Sequence, residues 1–125
     1  MKKKFSLKKR VKSFKYAFDG FKLLLKEEHN ALIHLVATIL VVILAFVFKI
    51  SAIEWMFVVI SIGMVFSAEL LNTALEHLCN YISPMNNAVI KKVKDLAAAA
   101  VFVLAIAAFT LGLIIFVPKF IALLS

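Results

Sequence analysis

Two patterns of apolar positions divide the chain. Over residues 5–28, Phe14, Ala17, Phe18, Phe21, Leu24 and Leu25 recur at three- and four-residue steps, with Lys12, Lys15, Asp19, Lys22 and Lys26 between them. That spacing predicts an amphipathic helix lying in a membrane surface, apolar face down. Beyond it the period disappears into uncharged apolar runs: Ala31 to Phe48, Trp55 to Ala68 and Leu96 to Val117, of 18, 14 and 22 residues. A bilayer-crossing helix needs about 20 apolar residues. The first and third runs reach that length. The second does so only if its helix continues through the polar stretch ELLNTALEHL. The expected elements are a surface helix over 5–28 and three transmembrane helices over 30–48, 52–82 and 88–117. KISAIE joins the first two crossings, and SPMNN, broken by Pro84, joins the last two. The expected fold is an all-α membrane protein, with residues 1–125 as one membrane-embedded domain.

Charge orients this arrangement. The net charge is +8, and ten of the 15 Lys and Arg lie within residues 1–27. Lys91, Lys92 and Lys94 fall between the second and third crossings, which leaves only Lys49 and Lys119 on the other side. The positive-inside rule then places the N-terminus and the second connection in the cytoplasm. Beside hydrophobic helices, a basic terminus points to anionic lipid headgroups rather than nucleic acid. The start of the chain lacks the apolar core and cleavage site of a signal peptide. The single cysteine, Cys79, excludes an internal disulfide and reads as a packing residue.

One stretch, AELLNTALEHLCN, contradicts its apolar setting. At 100° per residue Asn72 lies about 60° to one side of Glu69, Thr73 about 40° to the other, and Glu76 about 20° away, so all four share a helix face. Counted from Ala52, Glu69 is roughly 25 Å along the helix, inside a hydrocarbon core of about 30 Å. Counted back from Val117, Lys94 and Asp95 reach the same level, and so does Glu28 at the end of the surface helix. A lone Glu at a helix end reads most simply as an ion-pair partner or a carboxylate snorkelling to water. A set of ionisable groups near hydrocarbon is costly and points to function. Carboxylates from two segments can hold a divalent cation, and Mg²⁺ favours one or two of them plus phosphate oxygens. A Glu withdrawn from water becomes a stronger base. No GxxxxGK[ST] phosphate loop is present. His29, His34 and His77 have no metal-ligand spacing, and His34 reads as a polar residue at the pocket edge.

AELLNTALEHLCN followed by KVKDLAAAAV resembles the small prokaryotic diacylglycerol kinase family, which includes the undecaprenol kinases. The resemblance covers nearly the whole chain. It implies a homotrimer of three-helix subunits with shared active sites, in the bacterial cytoplasmic membrane, with the site on the cytoplasmic side. It implies ATP as phosphoryl donor, Mg²⁺ as cofactor and a membrane lipid alcohol as substrate. Glu69 would be the base taking the proton of the lipid hydroxyl. Glu28 and Glu76 would hold Mg²⁺, Asn72 would orient phosphates and metal, and Lys94 would bind phosphate oxygens. Asp95, Tyr16 and Gly20 would belong to the nucleotide site, and His34 and Ala98 would lie beside the lipid. Asn80 stands where diacylglycerol kinases commonly carry Asp, and Met85 and Asn87 where they carry Glu and His. DLAAAAV and the Asn30/His34 pair look more like the undecaprenol kinase branch, although the Arg that branch often carries is Leu32 here. Undecaprenol is therefore the favoured substrate over diacylglycerol.

Two other classes stay open. A small proton- or ion-coupled transporter subunit would use Glu69 and Glu76 as carriers, but the far halves of the second and third crossings are apolar apart from Ser61 and Thr110. A non-catalytic homologue would keep the fold and bind neither nucleotide nor lipid alcohol.

Overall fold

A computed structural model describes residues 4–85 and 87–125. Lys2 and Lys3 of the basic start and Asn86 of the SPMNN turn lie outside them. Four helices follow one another: α1 (Leu7–Glu27), α2 (His29–Val47), α3 (Ala52–Ile82) and α4 (Ala88–Leu124). Local chemistry sets most of the boundaries. Ser6 caps α1 by accepting from the Lys9 N–H, and Asn87 caps α4 by accepting from Val89 and Ile90. At α3, Ser51 and Glu54 form a reciprocal capping box. The end of α2 is a Schellman turn. The Ile50 N–H bonds to the Ala45 carbonyl and the Lys49 N–H to that of Phe46, with Lys49 left-handed at φ 50°.

The observed helices differ from the sequence expectation in one place by more than two residues. α4 was expected to stop at Val117, before Pro118, yet it continues to Leu124 with Pro118 inside it. Proline removes one backbone donor and crowds the preceding turn. The extension is held from outside the helix: Lys119 donates to Glu54 at 2.7 Å, and Phe120 packs edge-on to Phe48 at 4.8 Å.

α2, α3 and α4 are each long and apolar enough to cross a membrane. At 1.5 Å per residue α3 and α4 are roughly 46 and 55 Å long, well beyond a hydrocarbon core of about 30 Å. Phe14, Phe18, Ile39, Phe102 and Phe109 are among many large apolar side chains left exposed. A soluble monomer does not carry apolar surface on that scale; this is the surface of an integral membrane protein.

α3 and α4 form the main packed pair, with α2 and α1 against α3. The apolar core gathers at one end, where Ala45, Ile50, Val58, Ile115 and Phe116 are buried against Trp55, Phe48 and Leu111. The opposite half of the bundle buries polar residues instead: Glu69, Asn72 and Thr73 on α3. Leu24 of α1 and Ala31 of α2 are both buried, and Glu28 forms the one-residue joint between these helices. The fold thus leaves the polar layer where α1 turns into α2.

Candidate functional site

Glu69 is buried to 1 % exposure, between three and four turns before the α3 terminus. The Nε2 of His34, from α2, stands at an ion-pair distance of 3.2 Å from Glu69 Oε1, and that oxygen has no hydrogen-bond partner among the described residues. The Oδ1 of Asn72 and the Oγ1 of Thr73 are buried without partners as well. Buried polar atoms are normally paired, and each orphan costs free energy on the order of 1–3 kcal/mol. Three of them on one helix face mark a place where something else supplies the missing partners.

Asn72 does use its amide: Nδ2 donates to Glu76 Oε1 at 3.2 Å, one turn along α3. The other neighbour of Glu76 comes from the α1–α2 joint. Glu28 leaves the helical conformation (φ −108°, ψ 110°), which turns its side chain out of both helices. Its carboxyl is close enough to that of Glu76 to feel its charge. Burial first, then the hydrogen bond and charge of Glu76, and finally the charges of Glu69 and Glu27 push the Glu28 carboxyl above the ordinary carboxylate range. Three acidic groups from two segments, Glu28, Glu69 and Glu76, therefore share one site with Asn72 and His34.

The remaining expected residues are distributed around it. Lys94 of α4 donates to Asn80 Oδ1 at 2.6 Å. Asn80 is one turn beyond Glu76 on α3, about 6 Å along the axis. Asp95 is exposed and accepts from Lys91 at 2.6 Å. A cleft of about 480 Å³ at the α3–α4 turn is lined by Lys91, Lys94, Asp95, Ser83, Met85 and Asn87. Tyr16 is exposed on α1, and Gly20 has open space where a Cβ would stand. Ala98 is exposed; the cleft between α3 and α4 that includes Asn72 takes Ala97 and Ala100 instead. A second cleft, of about 400 Å³, runs between α2, α3 and α4 from His34 to Phe116, and its walls are apolar except for His34, Thr38 and Ser61.

A divalent cation has a plausible seat. Two carboxylates that approach this closely repel unless a proton or a cation lies between them. Among the described residues no set of three or more His, Cys, Asp or Glu forms a complete metal cage. Mg²⁺ asks less of a protein than such a cage, since it takes one or two carboxylates and draws its other oxygens from phosphate and water. Sequence reasoning missed one contact in this layer: Glu27 Oε2 lies 2.6 Å from His77 Nε2, joining α1 to α3 across 50 residues. Nothing in the spacing of the sequence pairs those two positions.

Comparison with known proteins gives two findings. Residues 15–116 match the sequence profile of the family described as prokaryotic diacylglycerol kinase. An undecaprenol kinase of Bacillus subtilis (strain 168) is 42% identical over 108 residues, which cover 86% of this chain and 88% of that protein. Both matched regions are long enough to take in the acidic layer as well as the membrane helices.

Proposed function

The chain belongs to the prokaryotic diacylglycerol kinase family, and on that premise we propose that it is a membrane lipid kinase, transferring the γ-phosphate of ATP to a lipid alcohol. The observation that carries this reading is the meeting of Glu28 and Glu76 beside the buried, unpartnered oxygen of Glu69. Phosphoryl transfer asks little covalent chemistry of the protein. It needs reactants in line, charge neutralised and a base for the attacking hydroxyl.

Glu69 is the base. Its free oxygen accepts the proton of the lipid hydroxyl as the hydroxyl oxygen attacks the γ-phosphorus, and the bond from that phosphorus to the β–γ bridging oxygen breaks to release ADP. His34 borders this oxygen and the apolar cleft, which suits it to guide the hydroxyl end of a lipid whose chain lies between α2, α3 and α4. Glu28 and Glu76 hold Mg²⁺, with Asn72 fixing the Glu76 carboxylate through its amide. Bound Mg²⁺ supplies neutralisation of the phosphate oxygens. Lys94 offers a point charge to those oxygens from α4, and the cleft at the α3–α4 turn receives the rest of the nucleotide, with Asp95 on its wall. Tyr16 and Gly20 of α1 complete the nucleotide pocket. The resemblance to the family supports a homotrimer with shared active sites. The distribution of basic residues supports a site at the cytoplasmic leaflet of the bacterial membrane.

The likeness to an undecaprenol kinase favours undecaprenol over diacylglycerol. The deciding experiment supplies the purified protein in vesicles with MgATP and either lipid alcohol. Phosphate is expected on undecaprenol in preference to diacylglycerol. Ion flux across the vesicles without ATP, and no labelled lipid from either substrate, would replace the kinase reading with the transporter one.

A further inference from the structure

The Mg²⁺ reading of Glu28 and Glu76 raises a physical problem that the surrounding residues answer. Without a cation or a shared proton, two neighbouring carboxylates repel one another. The force acts between the end of α1 and the body of α3. Glu28 itself resists poorly, because it sits at a non-helical joint and its backbone N–H is tied only to the Leu24 carbonyl of the same helix. Something else must hold α1 against α3 at that level.

Leu24, one turn earlier, is buried, and Phe21 of α1 packs on Phe66 of α3 with ring centroids 6.4 Å apart. Immediately beside the carboxylate pair, Glu27 meets His77 at 2.6 Å. A carboxylate only accepts, so the His77 Nε2 is the donor. The positions are adjacent on both sides: Glu27 precedes Glu28, and His77 follows Glu76. His77 and Glu27 are substantially exposed, at 55% and 38%. Among the described residues, each is the other's side-chain polar partner.

We infer that the His77–Glu27 contact is a clasp that holds Glu28 opposite Glu76 before the metal–nucleotide arrives. It makes His77 and Glu27 positioning residues for the acidic pair, and it rests on the reading of that pair as the Mg²⁺ site. An exposed pair of this kind is modest in strength, so its loss should weaken binding by about three- to fivefold.

The test uses the full chain in lipid nanodiscs and Mn²⁺–ADP as probe, with binding read from the electron paramagnetic resonance signal. ADP has no γ-phosphate to transfer, so the readout is independent of turnover. His77→Leu and Glu27→Leu should each raise the dissociation constant by about three- to fivefold, and the double variant should go no further than either single one. His77→Gln, which keeps a donor at similar reach, should recover most of the affinity. The melting temperature without metal should stay close to that of the unaltered protein. Single variants that bind as the unaltered protein does, or whose effects simply add, overturn the clasp. So does a loss of affinity that follows a lowered melting temperature and is not recovered by His77→Gln. If Glu28→Gln leaves Mn²⁺–ADP binding unchanged, the Mg²⁺ reading itself fails, and that result is distinct from failure of the clasp alone.

Discussion

Replacing Glu69 by glutamine removes a negative charge and a proton acceptor while keeping nearly the same volume. The residue is 1 % exposed, so shape matters: a smaller side chain would leave a cavity, and glutamine does not. The substitution sacrifices no hydrogen bond at Oε1, which has none. It also removes a charge that disfavours ionisation of Glu28. Fold stability should therefore change by less than about 1 kcal/mol. Catalysis should not be spared. A positioned general base contributes about 10²- to 10⁴-fold, equivalent to about 3–5 kcal/mol of barrier. The assay is phosphate transfer from labelled ATP to undecaprenol in vesicles, with helix content and assembly state measured on the same samples. The expected result is a kcat lowered by at least about two orders of magnitude, with KM for MgATP little altered, because nucleotide contacts lie on other residues. A glutamine variant working within about fivefold of the unaltered protein would remove Glu69 from the role of base.

Other consequences are open to equally simple checks. The raised Glu28 carboxyl sets a sign for pH: its contribution to stability is complete below its unfolded pKa and is lost as pH rises through the raised folded value. Without metal the melting temperature should fall across that window, and Mg²⁺ with nucleotide should restore it at the upper end; a melting temperature that rises across the window would reverse the argument. Asn80→Asp sets a carboxylate where the Lys94 ammonium now meets an amide oxygen at 2.6 Å; KM for ATP should rise about three- to tenfold with kcat less affected. Leu24→Ala empties a fully buried position and should cost about 2–4 kcal/mol, read as faster hydrogen exchange along α1 and weaker Mn²⁺–nucleotide binding together.

Much of this arrangement was legible in the sequence because it lies on one helix or at the end of one. The stripe of Glu69, Asn72, Thr73 and Glu76 follows from the 100° step alone, and Glu69, Asn72 and Thr73 are the three buried polar residues of α3. The need for α3 to run through ELLNTALEHL came from bilayer thickness, and the helix does run from Ala52 to Ile82. What periodicity cannot reveal is which residues meet across helices. Glu28 reaching Glu76, His34 reaching Glu69 and Glu27 reaching His77 all depend on the turn at Glu28 and on the packing of Leu24, which are tertiary facts. Layer counting put Lys94 and Asp95 at the depth of the carboxylates; Lys94 is instead held by Asn80, one turn beyond Glu76, and Asp95 turns to Lys91. The continuation of α4 past Pro118 was equally invisible, because the contacts that hold it come from Glu54 and Phe48, more than 60 residues earlier.

The central claim is that Glu28 and Glu76, drawn from two segments, bind a metal–nucleotide beside Glu69. Its most direct measurement is the affinity of the protein for Mn²⁺–ADP when these two carboxylates are neutralised one at a time. Glu28→Gln and Glu76→Gln should each weaken binding by at least about tenfold, since each removes a charged metal ligand, while Glu69→Gln should leave it within about twofold because that residue faces the lipid hydroxyl. Equal affinity in all three variants would contradict the account.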